Sequence, residues 1–393
     1  MEKKIIIIDS DGFFWPDNIS DDYASAERRG ISIEQENQPV SSLIEQYYLG
    51  FRSAMLICED QIKSEEDLVE AKEALRNYRE GCLVSALQYV KSHLAGKLTL
   101  PIDFLWITRM AIIDELKGDY PEVEDIQLRL SMKPRISART IDKNIIIFPA
   151  LARVVVNHCN LVMINTAFYC LDRARERTVD IDRRQISRFV LPYLLFCHDD
   201  FSVKNLPTIG AYSKEAALNA FRFTNLQIMF VFAHEYAHIL LGHFKHDMFG
   251  HIPNMDIESE ADNLALSVVL RHVRKYYDHY GSNAEIEVFT AVRWLFKFQL
   301  IEETIGALIR GEDIDYLASS YEKRRSKFQT ELFSQYDFSG SSLIDAIGFI
   351  AIVELQNVLY ESGLDLIDNI INAFEKSGKT GEIEPWWEKI AKN

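Results

Sequence analysis

The chain of 393 residues is predicted to be α+β and predominantly helical. Three observations carry this. Segments with helix formers and apolar positions at helical spacing cover residues 150–176, 214–244, 256–280 and 285–310. Two short β-branched runs, 5–8 and 145–147, are each followed closely by turn residues or proline. Glycines and prolines, among them Pro101, Gly210, Gly242 and Gly281, stand between segments and rarely inside them.

Composition bounds the rest. With 48% hydrophobic and 11% aromatic residues the chain can bury a sizeable core, which excludes global disorder. A formal charge of −16 disfavours a nucleic-acid backbone as partner. The cysteines Cys58, Cys82, Cys159, Cys170 and Cys197 form no C-x-x-C pair, and their number is odd, so they read as buried small hydrophobes in a reducing compartment. Four isoleucines before Asp9 are too few for a secretory h-region. No uninterrupted apolar run reaches the roughly 18 residues of a membrane span. A cytoplasmic protein without a membrane partner is expected.

Taken in order, residues 5–8 read as a strand closed by Asp9-Ser10-Asp11-Gly12. Asp-x-Asp-Gly after a strand resembles the first motif of haloacid-dehalogenase-type phosphatases, but no suitable later lysine and paired aspartates accompany it, so an ordinary strand and turn is expected. A polar loop over 13–40 leads into helical pattern from 41 to 93. Residues 98–116 are apolar and aromatic and read as core. The run 141–149 reads as one short strand stopped by Pro149. Helical segments follow over 150–176, from the N-cap Ser213 to Phe244, over 256–280, 285–310 and 315–335, and over 341–362 with a continuation to 376. Pro385-Trp386-Trp387 is expected to pack on the body.

Near the end of the 214–244 helix stands Ala233-His234-Glu235-Tyr236-Ala237-His238. Residues four apart share a helix face, so His234 and His238 can present two imidazole nitrogens to one metal ion. Glu235 sits one residue round and can reach a water at that ion. His-Glu-x-x-His arises by chance in about one chain in a hundred of this size. Here it lies among Met229, Phe230, Val231, Phe232, Ile239 and Leu240, where unpartnered histidines would be costly. A third ligand is needed, and the next helix supplies Glu258-Ser259-Glu260-Ala261-Asp262. Glu258 and Asp262 share a face; one can bind the ion and the other can accept the second N–H of a ligand histidine. Glu260 competes as third ligand but faces the other side.

These motifs resemble the gluzincin metallopeptidases, in which His-Glu-x-x-His is completed by a glutamate within Glu-x-x-Ala-Asp or Glu-x-x-x-Asp. The resemblance covers residues 224–265. It implies Zn2+ as cofactor, His234, His238 and Glu258 as ligands, Glu235 as general base and Asp262 as the partner of a ligand ring. It implies a zincin-like core with a short edge strand near the cleft, embedded in accessory helices. The 141–149 strand can be that edge strand, or a structural strand with no substrate role. The expected organisation is an N-terminal strand and helical accessory region over 1–100, a catalytic domain over 101–281 and a C-terminal helical region over 282–393. His246 and His251, between the ligand helices, are candidate substrate contacts. His243 reads as a helix-end histidine, and Tyr212 as a weak candidate for stabilising an oxyanion. His272 and His279 lie too far along their helix for that role.

The expected function is a zinc-dependent intracellular endopeptidase acting on a specific protein or peptide substrate, with a possible regulatory partner. The motif ending Ile-Leu-Leu-Gly-His is similar to bacterial intracellular peptidases of regulation or phage defence, the Lit-type phage-exclusion group among them. A metal-stabilised scaffold or toxin-like interaction protein without proteolysis, and a zinc hydrolase of non-peptide bonds, are the alternatives. A purely structural site has no need of Glu235.

Overall fold

The computed structural model describes Ser64 and residues 103–131, 135–149, 152–174, 183–198, 212–243, 255–276, 284–314, 319, 322–324, 326 and 343–377. The readings made for residues 1–102, apart from Ser64, and for 385–387 lie outside the described residues. Within them the chain is α+β and predominantly helical. The helices are α1 (Asp103–Leu116), α2 (Ala152–Ala174), α3 (Arg183–Phe196), α4 (Lys214–Leu240), α5 (Met255–Lys275), α6 (Ala284–Arg310) and α7 (Leu343–Ser377). The strands are β1 (Gln127–Ser131), β2 (Arg139–Asp142) and β3 (Ile145–Pro149).

Helix α4 is the axis of the core. Ser213 caps it as expected, its hydroxyl accepting from Ala216 N at 3.0 Å. Leu226 and the run from Ile228 to Ala237 are buried on every face, which only a helix surrounded by others can satisfy. It packs on α5, α2, α6 and α1. It stops where Gly242 takes φ 71°, a left-handed conformation that glycine adopts at no steric cost. Between α2, α4 and α6 the buried amide of Asn160 donates to Thr224 Oγ1 (2.9 Å) and Gln227 Oε1 (2.6 Å), and Gln227 donates to Ala291 O (2.8 Å). A closed polar network of this kind fixes how three otherwise apolar helices register.

The sheet corrects one expectation. The 141–149 run is not one strand but a hairpin, turning at Lys143–Asn144, and a further strand joins it. The order is β1-β3-β2, with β3 central: β1 pairs with it in parallel (Gln127↔Ile145) and β2 antiparallel (Thr140↔Ile146). Ile146, Ile147 and Phe148 are all buried, as a continuous apolar run in a central strand requires. Of the two strands of that hairpin, β3 is central and β2 lies at one edge of the sheet, β1 at the other; the register of β2 breaks between Thr140 and Asp142. β1 and β2 have too few apolar residues to stand out in sequence; they are strands because Ile145–Pro149 pairs with both. Phe148 stacks on Phe232 at 4.0 Å, laying the sheet against α4 immediately before the His-Glu-x-x-His turn.

The run leading into β2 is held from α6. Gln299 Nε2 donates to Ser137 Oγ at 3.3 Å, and Ile136 N donates to the buried Glu302 carboxyl at 3.3 Å. Burial, reinforced by Glu303, pushes that carboxyl up to about 8 against the pull of the Ile136 N–H and Arg135. In the unfolded chain a glutamate titrates near about 4.3. Between these values the native state holds the extra proton, so this contribution to stability is complete below about 4.3 and lost as pH rises through about 8. Thermal melts of the wild type should fall between about pH 5 and about pH 8, and Glu302→Gln should flatten that slope.

Helix α7 crosses α6 at Gly348, where a Cβ would run into the fully buried Trp294 ring. Gly348→Ala should destabilise the protein by about 1–3 kcal/mol in denaturant titration, because neither wall can yield. Although no membrane-length apolar run was expected, Ala152–Asp172 in α2 and Leu343–Asp368 in α7 are long and apolar enough to cross a membrane by length and composition. The first is mostly buried in the body, while the second packs on α2, α3 and α6. Cys159, Cys170 and Cys197 are buried, as expected; Cys58 and Cys82 lie outside the described residues.

Candidate metal centre

The last turns of α4 and the first turns of α5 meet face to face. Their contact brings His234, His238 and Glu258 together, and this group can hold a metal ion. His234 Nε2 lies 2.9 Å from His238 Nε2 and 3.4 Å from Glu258 Oε2, and His238 Nε2 lies 3.5 Å from Glu258 Oε1. Donors at 2.0–2.1 Å from a tetrahedral ion are about 3.3 Å apart, so the triangle fits one, with the two rings slightly close.

The opposite ring nitrogens are both occupied. His234 Nδ1 is 2.9 Å from Asp262 Oδ1, at contact distance though not along a well-aimed hydrogen bond. Asp262 thus lies beside the ring whose partner the resemblance implies it to be. His238 Nδ1 is 3.1 Å from His243 Nδ1, and His243 Nε2 is 3.1 Å from Glu260 Oε2. One set of tautomers satisfies the whole line: His238 donates from Nδ1, His243 donates from Nε2 to the carboxylate, and His238 Nε2 keeps its lone pair toward the ion. His243 is therefore not a simple helix-end residue. The left-handed Gly242 turns the chain back and swings the ring of His243 beneath His238. Glu260, weighed as a competing ligand, instead orients His243 and is largely exposed.

Glu235 is 7% exposed and accepts from Thr140 Oγ1 at 2.9 Å; the same hydroxyl lies 3.3 Å from the Glu235 carbonyl oxygen. Burial raises the Glu235 carboxyl, with His234 and Thr140 opposing. Thr140 belongs to β2, so Glu235 and this edge of the sheet are joined directly. A residue with no local signal completes the centre. Arg324 donates from Nε and Nη2 to the two oxygens of Asp262 at 2.7 and 2.6 Å, and its Nη1 lies 2.9 Å from Glu258 Oε2.

These charges set the protonation. Burial opposes ionisation of Glu258 and Asp262, but His234 and Arg324 outweigh it and hold both carboxyls below the usual range. Burial likewise opposes a charged His234, yet Asp262 and Glu258 raise it to about 10. His238 is lowered to about 3 by burial and by the charge on His234. The pair thus carries one positive charge, on His234, and an ion held at both Nε2 atoms would displace the proton on His234 Nε2.

A cavity of about 430 Å³ opens over the centre, walled by Thr140 and Arg139 from β2, Phe230 from α4, Phe296 and Gln299 from α6, and Arg324. Three of these come from beyond residue 281, from the expected C-terminal helical region. Other sequence candidates lie elsewhere. Tyr212 donates to Asp172 at 2.6 Å at the far end of α4, and His272 faces Glu115 at 3.6 Å. His246, His251 and His279 lie outside the described residues. Among family models, curated proteins and solved structures, none matches the chain.

Proposed function

We propose that this chain is a zinc-dependent intracellular endopeptidase of gluzincin type, with a zincin-like core and a selective protein substrate in regulation or phage defence. The observation that carries the reading is the meeting of three elements in one cleft: two imidazoles and a carboxylate at ligand spacing, a buried glutamate beside them, and an edge strand tied to that glutamate. Two nitrogens and one oxygen are a donor set suited to zinc. A bound zinc ion supplies Lewis acidity toward a water and a scissile carbonyl.

The residues supply the remaining steps. β2 pairs with β3 on one side and with no other strand among the described residues, so its outer edge can hold an extended peptide by main-chain hydrogen bonds. Phe230 and Phe296 offer an apolar wall to a side chain next to the scissile bond. Glu235 takes a proton from the attacking water at its carboxylate and delivers it to the leaving amine nitrogen. Its raised carboxyl brings it toward the acidity such a shuttle needs, and Thr140 holds it in place. A scaffold would not require a buried carboxylate at this position.

Elemental analysis of the wild type and Glu235→Gln, combined with N-terminal labelling of a cellular proteome treated with each, tests the reading. Zinc in both proteins, with new termini from the wild type alone, is the expected result. Zinc in both with no new termini from either overturns the peptidase and leaves the metal-stabilised scaffold. Absence of metal from the wild type and from His234→Ala alike overturns the centre itself.

A further inference from the structure

We propose that Arg324 is a positioning residue that restricts Glu258 to a single-oxygen ligand of the metal ion. The inference rests on the metal centre proposed above. Nothing in Glu258 itself selects one oxygen. Oε2 lies 3.4 Å from His234 Nε2 and Oε1 lies 3.5 Å from His238 Nε2, so both oxygens face the ligand triangle. A carboxylate so placed can chelate through both, filling a position that a reacting water and a carbonyl need.

Arg324 breaks this symmetry. Its Nη1 sits 2.9 Å from Oε2, within hydrogen-bond reach of that oxygen. The guanidinium cannot drift toward the other oxygen. Its Nε and Nη2 form a two-pronged, charge-assisted grip on Asp262, which is 2% exposed and itself held against His234. Because the guanidinium is planar and rigid, fixing two of its nitrogens fixes the third. Its face lies over the Phe296 ring at 5.0 Å. The segment that carries it is tied down as well. Glu322 pairs with the buried Lys297 of α6 at 2.7 Å, and Lys297 also donates to Gln356 of α7 at 2.8 Å. An ion drawn to Oε2 would approach a fixed positive charge, so Oε1 is the donor left to it. One arginine thus joins the ligand carboxylate to the partner of the His234 ring, and links α5 to the region between α6 and α7.

The test uses Co2+ as a visible stand-in, loaded into the full chain and read by its d–d absorption. The wild type should give the intense bands of four-coordination. Arg324→Gln, and Arg324→Lys, which keeps the charge and loses the planar grip, should show bands several-fold weaker, as a fifth donor enters. Unchanged bands in both variants overturn the inference. Should neither variant fold by circular dichroism, X-ray absorption of the zinc-loaded wild type decides. One carboxylate oxygen in a four-donor shell supports the role, and two oxygens of one carboxylate overturn it. A wild type that takes up neither Co2+ nor Zn2+ overturns the metal centre as well. Metal uptake with two-oxygen coordination overturns the role of Arg324 alone.

Discussion

Glu235→Gln will bind zinc as the wild type does and lose about 10²- to 10⁴-fold in the rate of peptide-bond cleavage, the range expected when a positioned proton carrier is removed. The substitution is close to isosteric. Thr140 Oγ1, now 2.9 Å from Glu235 Oε2, can still donate to an amide oxygen, and the three ligand side chains are untouched. What the amide cannot do is accept a proton from water and pass it to the amine. The measurement is single-turnover appearance of new N-termini from a protein substrate found by proteome labelling, with metal content determined on the same preparations. Loss of zinc alongside activity would instead mark Glu235 as a structural support for the ligand helix.

Removing the metal will lower the unfolding free energy by about 3–4 kcal/mol where free ion stands 100 to 1,000 times above its dissociation constant. The cause lies in how the charges are arranged. Without an ion, His234 holds a proton between Asp262 and Glu258, and His238 is uncharged beside it. Binding releases that proton, so affinity falls on acidification by about tenfold per pH unit below the His234 value of about 10. Thermal melts with and without a chelator, repeated in His238→Ala, check the first statement: the variant should melt alike in both. Calorimetric titration in buffers of differing ionisation enthalpy checks the second by counting the proton released.

The centre was legible where it follows local rules. His234, Glu235 and His238 obey helix spacing, and Glu258 with Asp262 repeats it one helix later. Ser213 and Gly242 mark the ends of α4 by the chemistry of caps. Three features were not legible, each for a physical reason. Arg324 lies 62 residues from Asp262, and a contact between remote residues leaves no periodic trace. Thr140 sits on a strand that exists because β3 pairs with it. The role of His243 depends on one left-handed glycine, which reverses the direction that helical spacing assigns to it. The same limit explains the sheet: the apolar 145–148 run stands out, whereas the strands flanking it draw their stability from the partner.

Helix α4 is enclosed by its neighbours along most of its length. Its amides have no route to solvent short of opening the core, so on the hydrogen-exchange timescale the segment bearing His234 and Glu235 should be among the last to take up deuterium. The turn bearing His234 and Glu235 is therefore anchored in the slowest-opening part of the molecule. Earlier exchange is expected in β2 on the opposite wall, which pairs with β3 on one side alone among the described residues.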